Sequence, residues 1–224
     1  TARRDLILLS EHDGVIRSIG GARYDRSANM EKSFREKEER FLPEKLAIAK
    51  TAASLVEDGD VVGLTGGTTT FLIAKALQHK QSITIVTNAV NIAMELADQE
   101  NIQMVLTGGV MRQKNYELCG PLAESVVNQL NIGKMFVGVN GFSLEQGLTT
   151  FSEFEAQIAR LMIRRSAQVY GVFDHTKVNK TALFSIAPLQ NLEACITDRK
   201  LPGEIDRYLQ KSNIDYFVAC ERSE

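Results

Sequence analysis

The stretch Asp60–Leu77, DVVGLTGGTTTFLIAKAL, runs from an apolar, β-branched segment through a Gly-Gly-Thr-Thr-Thr turn into an amphipathic segment. The first part suits a strand buried on both faces, and apolar residues at three- and four-residue spacing in the last part suit a helix. The same unit recurs outward from it. ITIVTN precedes AVNIAMELADQ, IQMVLTGG precedes PLAESVVNQL, and KMFVGVNG leads through a turn at Gly147 to SEFEAQIARLMIRRSA. QVYGVFD and LEACITD follow as strands, then LPGEIDRYLQKS as a helix and IDYFVAC as a last strand. Upstream, PEKLAIAKTAASLVEDGD opens with Pro43 at a helix start and ends at Gly59. This alternation predicts an α/β domain over residues 43–224, a doubly wound, mostly parallel sheet with helices on both faces.

The N-terminal part is patterned differently. TARRDLILLSEH has helical spacing, and DGVIRSIGGARY gives a short β-type run with a Gly-Gly reversal, so a helix end and a small hairpin are expected. NMEKSFREKEERF, residues 29–41, alternates charges around Met30, Phe34 and Phe41 and reads as a solvated connecting helix. The expected organisation is an N-terminal segment over 1–26, a linker over 27–42 and the α/β domain over 43–224.

Composition excludes several classes. With 44% hydrophobic and 24% charged residues, the chain has no apolar stretch near the roughly 20 residues that cross a bilayer. Thr1–Leu9 carries no secretory pattern. Cys119, Cys195 and Cys220 form no CxxC pair, which fits reduced thiols in a cytoplasmic protein. His12, His79 and His175 show no zinc-site spacing, and neither a metal nor a cofactor is expected. A net charge of −2 confines any nucleic-acid contact to a local surface.

In an open parallel sheet, ligands sit beyond the carboxyl ends of the strands. Almost every strand here ends in small, hydrogen-bonding residues: Thr65-Gly66-Gly67-Thr68-Thr69-Thr70, Thr87-Asn88, Thr107-Gly108-Gly109, Asn140-Gly141, Asp174-His175-Thr176-Lys177 and Thr197-Asp198. Gly66 and Gly67 let a ligand approach the backbone, and Thr68–Thr70 offer amides, hydroxyls and the positive end of a helix dipole, which suits a phosphate. The same residues would also serve as an ordinary N-cap and tight turn. No Lys follows the glycines as in a Walker loop, and GxGxxG spacing is absent. Lys177 could counter a phosphate charge while Asp174 accepts from hydroxyls, although an Asx turn with a solvated lysine would use the same residues.

Taken together, these segments resemble DeoR-type bacterial transcriptional regulators. TARRDLILLSEHDGVIRSIGGA is similar to the end of their winged helix-turn-helix, starting inside the recognition helix. EKLAIAKTAASLVEDGD, the GTTT turn, VTNAVNIAMEL, VLTGGVMRQKNYELCGPLAE, FVGVNGFSLEQGLTT and FDHTKVNKTALFSIAPL correspond, in order, to segments of the sensor domain. The resemblance implies a sensor similar in fold to ribose-5-phosphate isomerase. It implies a DNA-binding repressor of sugar-metabolism genes, cytoplasmic and homo-oligomeric, that binds operator DNA and a phosphorylated sugar effector.

The implied effector site comprises Gly66, Gly67, Thr68, Thr69, Thr70, Asn88, Gly108, Gly109, Glu117, Asn140, Asp174 and Lys177. Arg3 and Arg4 on the recognition helix, with Arg17 and Arg23 in or beside the wing, would contact DNA. The isomerases carry acidic residues after the strand corresponding to KMFVGVN. Here that stretch is Val139-Asn140-Gly141-Phe142-Ser143, and an amide cannot act as a general base. The expectation is a binding pocket without catalysis, the alternative being a sugar-phosphate isomerase-like enzyme using Asp174 and Lys177. Thr65 replaces an Asp found in many family members, so hydroxyl recognition should differ.

Overall fold

The computed structural model describes residues 15–18, 21–24 and 31–219. The chain divides into two units, Thr1–Lys32 and Ser33–Glu224. In the first, the described part is an antiparallel hairpin of β1 (Val15–Ser18) and β2 (Gly21–Tyr24), with Val15 opposite Tyr24. The antiparallel pairing agrees with the expected hairpin; Gly20 of the Gly-Gly pair and the helix end expected before it lie outside the described residues.

The second unit opens with two helices, α1 (Phe34–Glu38) and α2 (Leu42–Ser54). The repeating strand-helix pattern follows: β3 (Val61–Leu64), α3 (Thr68–Ala76), β4 (Ile83–Thr87), α4 (Val90–Glu95) and β5 (Ile102–Leu106). A hairpin of β6 (Val110–Arg112) and β7 (Glu117–Cys119) leads to α5 (Pro121–Val127) and β8 (Ile132–Gly138). After β9 (Gly141–Ser143) and β10 (Gly147–Thr150) come α6 (Glu153–Arg164), β11 (Ser166–Val172), β12 (Phe184–Ala187), β13 (Ala194–Thr197), α7 (Gly203–Lys211) and β14 (Asp215–Val218).

The seven expected strands form one wholly parallel sheet in the order β14-β13-β11-β8-β3-β4-β5. From β3 the chain builds outward through β4 to β5, crosses back to β8 on the other side of β3, and builds outward again to β14. The strand order therefore reverses between β3 and β8. Leu64 stands opposite Phe136 in that pair.

Alternation along the buried strands divides the core in two. Met135 and Val137 of β8 pack with Ala123 and Val127 of α5, Met162 of α6 and Ile205 and Leu209 of α7. Phe136 points the other way, into a cluster with Ile48 and Ala52 of α2, Ile73 of α3 and Ile92 of α4. Phe136 also stacks on Tyr170 of β11, centroids 5.1 Å apart. Period-two strands between helices of period 3.6 produce this two-sided burial directly.

The antiparallel pieces are additions to the expected sheet. The β6–β7 hairpin and a small sheet of order β12-β10-β9 consist of strands of three or four residues, too short for a period to declare itself in sequence. The solvated connecting helix requires correction. Residues 34–38 do form a helix, capped reciprocally by Ser33 and Glu36, but Phe34 is buried and its ring meets Phe71 and Tyr116 at 5.5 and 5.7 Å. One aromatic residue docks a helix whose charge pattern suggested solvent on all sides. Among the described residues no helix is long and apolar enough to cross a membrane.

Phe136 is fully buried at the centre of the sheet, so Phe136→Ala should lower stability by about 3–5 kcal/mol. Urea unfolding with an unchanged m-value would show this, and a loss below 1 kcal/mol would contradict the packing described.

Candidate functional site

At the reversal the chain leaves β3 through Thr65-Gly66-Gly67 and leaves β8 through Val139-Asn140. The Thr65 hydroxyl accepts the Gly138 N–H at 3.0 Å and so ties the two strand ends together. The residue that departs from the family pattern thus has a structural partner. Gly67 caps α3 with φ of 137°, a conformation that a side chain would strain. Thr68, Thr69 and Thr70 form the first turn of α3 and are buried, and the Thr70 hydroxyl donates to the Gly67 carbonyl at 3.0 Å. Gly66 is required by a neighbour, since a Cβ there would lie 2.2 Å from Oε1 and 2.3 Å from Cγ of Glu117.

Glu117 begins β7 and is buried. Its backbone bridges to Ala89, and Leu118 N–H donates to the Asn88 carbonyl at 2.7 Å, which brings the end of β4 alongside. Asn88 is 1% exposed, and its amide donates to the Leu118 carbonyl at 3.2 Å. Among the described residues its Oδ1 is buried with no partner, as are both side-chain polar atoms of Asn91 on α4. An unpaired buried acceptor costs about 1–3 kcal/mol and marks a place where a donor fits.

A polar network joins Glu117 to Asn140. Arg112 Nη1 lies 3.4 Å from Glu117 and 2.7 Å from Glu155 of α6. Glu155 also accepts from Asn115 Nδ2 at 2.5 Å and from the Thr150 hydroxyl, and Thr150 lies 2.9 Å from Asn140 Oδ1. The two carboxyls titrate in opposite directions. Burial, reinforced by Glu155, pushes Glu117 well above the usual carboxyl range. Burial also works against the charge on Glu155, but hydrogen bonds from Glu117 and Thr150, together with Arg112 and Asn115, hold it down to about 2. The pair is therefore one acid and one carboxylate.

Asp174 and Lys177 form a second group, after β11. Asp174 accepts the Thr176 N–H at 3.0 Å in an Asx turn, and Lys177 Nζ lies 4.0 Å away. Burial works against the Asp174 charge, yet Lys177, Thr176 and Lys45 hold its carboxyl below the ordinary range. Lys45 of α2 is 4% exposed, and burial, partly offset by Asp174, lowers its ammonium to about 8. Its Nζ donates to the Lys37 carbonyl at 2.5 Å.

The network thus links Gly66, Asn88, Glu117 and Asn140. Gly109 contributes otherwise: a Cβ there would fall 2.6 Å from the Cys119 carbonyl, so its role is to let β7 close on β6, while Gly108 precedes it at φ of 71°. Arg3 and Arg4 lie outside the described residues; Arg17 and Arg23 sit on β1 and β2. Cys119 and Cys195 are free, buried thiols, and Cys220 lies outside the described residues.

Sequence reasoning missed Lys45, Arg112, Asn115, Thr150 and Glu155. Ser152 and Glu155 have capping-box spacing, which makes Glu155 look like a helix-terminus residue. Ser152 does accept the Glu155 N–H, but the carboxylate turns to Arg112, Asn115 and Thr150 instead. Glu44, His175 and Asp198 also converge, with ligand-type atoms within 4.8 Å of one another, and His175 Nδ1 already bonds Asp198 at 2.7 Å.

Residues 41–199 match the family model described as the DeoR C terminal sensor domain. The HTH-type transcriptional regulator GolR of Listeria innocua is 31% identical over 98% of this chain and 86% of its own length. GlpR of Haloferax volcanii is 34% identical over 96% and 84%, and the HTH-type transcriptional repressor GlcR of Bacillus subtilis 35% over 91% and 78%. Among solved structures, ribose 5-phosphate isomerase A of Methanocaldococcus jannaschii aligns with a TM-score of 0.45 and 18% identity, over 60% of this chain and 53% of that one.

Folded Glu117 keeps a proton that an ordinary carboxyl, with its value of 4.5, has released in the unfolded chain. Its contribution is present below that value and is lost as pH rises. Urea unfolding between pH 5 and 8 should show the wild type losing stability relative to Glu117→Gln, by at most about 1.4 kcal/mol per pH unit. Parallel curves would mean that Glu117 is ionised in the folded protein.

Proposed function

The chain belongs to the DeoR family of helix-turn-helix transcriptional regulators, and from that premise we propose that its sensor domain binds a phosphorylated sugar or a closely related metabolite as effector and does not convert it. The observation that carries this reading is the junction of β3 and β8, where the amides opening α3, the unpartnered Asn88 Oδ1 and the Glu117–Asn140 network converge. In this reading the phosphate docks on Gly67–Thr70, where helix dipole and free N–H groups favour an anion. Lys177 and the buried Lys45 supply positive charge. Asn88, Asn140, Glu117 and Asp174 meet hydroxyls, with Gly66, Gly108 and Gly109 shaping the loops.

Effector binding then alters operator affinity, a coupling typically worth about 1–3 kcal/mol. Arg3, Arg4, Arg17 and Arg23 are assigned to operator DNA, within a domain division of 1–26, 27–42 and 43–224. A cytoplasmic homo-oligomer matches operators with repeated half-sites. Repression of sugar-metabolism genes completes the proposal.

A second reading has its own observation. A protonated and an ionised carboxyl side by side are the pattern of acid-base catalysis, and the Glu117–Glu155 pair has it. Against turnover stands the engagement of Glu155 by Arg112, Asn115 and Thr150, which leaves its carboxylate poorly placed to take a substrate proton.

A thermal-shift panel of sugar phosphates separates the readings, since a ligand at 100 times its dissociation constant adds about 2.7 kcal/mol of stability. Binding without turnover by NMR is expected; turnover abolished by Glu155→Gln would establish the enzyme, and a panel without a single binder would remove the effector reading. Lys45→Met and Lys177→Met should each weaken the binder by roughly ten- to a hundredfold, the range of a charged hydrogen bond. Because Lys45 titrates near 8, binding should weaken as pH rises through that value in the wild type and less so in Lys45→Met. Isothermal titration calorimetry at pH 7 and 9 checks this.

A further inference from the structure

Helix α1 is the first element of the second unit, directly after Lys32, and it is held by more than the Phe34 ring. The Phe34 N–H donates to the Lys114 carbonyl at 2.8 Å, and Arg35 Nε to the Tyr116 hydroxyl at 3.2 Å, so α1 lies on the β6–β7 turn. Lys37 reaches two separate groups. Its Nζ donates to Asn115 Oδ1 at 2.9 Å, and its backbone carbonyl accepts Lys45 Nζ at 2.5 Å.

Each contact continues inward. From Asn115 the path runs to Glu155 at 2.5 Å, then to the Thr150 hydroxyl, and from Thr150 to Asn140 at 2.9 Å, at the end of β8. Lys45 lies in the electrostatic field of Asp174 and Lys177, after β11. A helix held only by apolar packing would need Phe34 alone. Here one residue instead joins the β8 end and the β11 end of the crevice to the element next to the preceding unit in the chain.

Resting on the effector reading above, we propose that Lys37 is a positioning residue of the effector site: it sets Asn115 and Lys45, and through them crevice occupancy governs how firmly α1 is held. Linkage makes this reciprocal. Whatever firms the Lys37 contacts with Asn115 and Lys45 tightens the effector, and the effector firms those contacts and, through them, α1. Lys37 needs no contact with the effector to do so.

The test uses protein with its complete DNA-binding module, and inorganic phosphate, ribose 5-phosphate and glucose 6-phosphate as probes. In the wild type a bound probe should slow amide exchange across residues 34–38. Lys37→Met removes the bond to Asn115 and keeps the backbone carbonyl that Lys45 meets; it should weaken that response, weaken the probe roughly tenfold and blunt its effect on operator binding, within the 5- to 150-fold range of such couplings. Lys37→Arg should restore all three. Arg35→Ala, which loosens the same helix without touching Asn115 or Lys45, should leave probe affinity near wild type. Equal affinity and equal operator response in Lys37→Met and wild type would overturn the proposal, as would equal losses in Arg35→Ala.

A ligand-free arm stands apart from the effector reading. Thr150→Val cuts the path near Asn140, and exchange at residues 34–38 should speed up without any probe. Unchanged exchange overturns the role of Lys37 by itself. Faster exchange in a protein that binds none of the probes supports the path and overturns the effector reading alone.

Discussion

β3 and β8 lie side by side in the sheet, yet the chain builds away from them toward opposite edges, the topology in which open α/β sheets bind ligands beyond the carboxyl ends of the strands. The Thr65 hydroxyl accepts the Gly138 N–H across the top of that junction and ties the two strand ends together. The amides and hydroxyls of the turns that leave this junction need a backbone, side-chain or solvent partner.

The acidic network is the costly part of the arrangement. Two buried carboxyls and a guanidinium lose hydration that their mutual attraction only partly returns, so such a cluster is weak evidence for stability. Its geometry favours positioning. Arg112 bridges the two acids, Glu117 lies over Gly66 where no side chain could fit, and Thr150 and Asn115 tie the ionised Glu155 to the β8 end on one side and to α1 on the other. Sharing one proton lets the pair persist without two buried negative charges. Carboxyls so engaged are placed to orient their neighbours.

The architecture was legible from local pattern. Seven strands, the helices between them and the glycine-threonine turn all follow from residue spacing within short windows, because strand and helix periods are properties of neighbouring residues. Asn88, Asn140, Asp174 and Lys177 could be singled out because each sits at or near the end of an element whose period is plain, whereas Glu117 is named only through the family resemblance of its segment. Arg112, Asn115 and Glu155 could not. The β6–β7 strands are three residues long, and Glu155 has the spacing of a helix cap.

What the sequence by itself determined is the order of elements, the direction of the sheet and the placing of the small, hydrogen-bonding turns at the strand ends, since these need only periodicity and chain connectivity. Tertiary structure alone decided that Asn115 meets Glu155 across 40 residues of sequence, that Lys37 and Lys45 share a backbone carbonyl contact, and that Phe34 is buried in a helix of charges. Ion pairs and hydrogen bonds of this kind depend on separation in space, and their strength on the burial that folding imposes, neither of which is encoded in the spacing of the residues that make them.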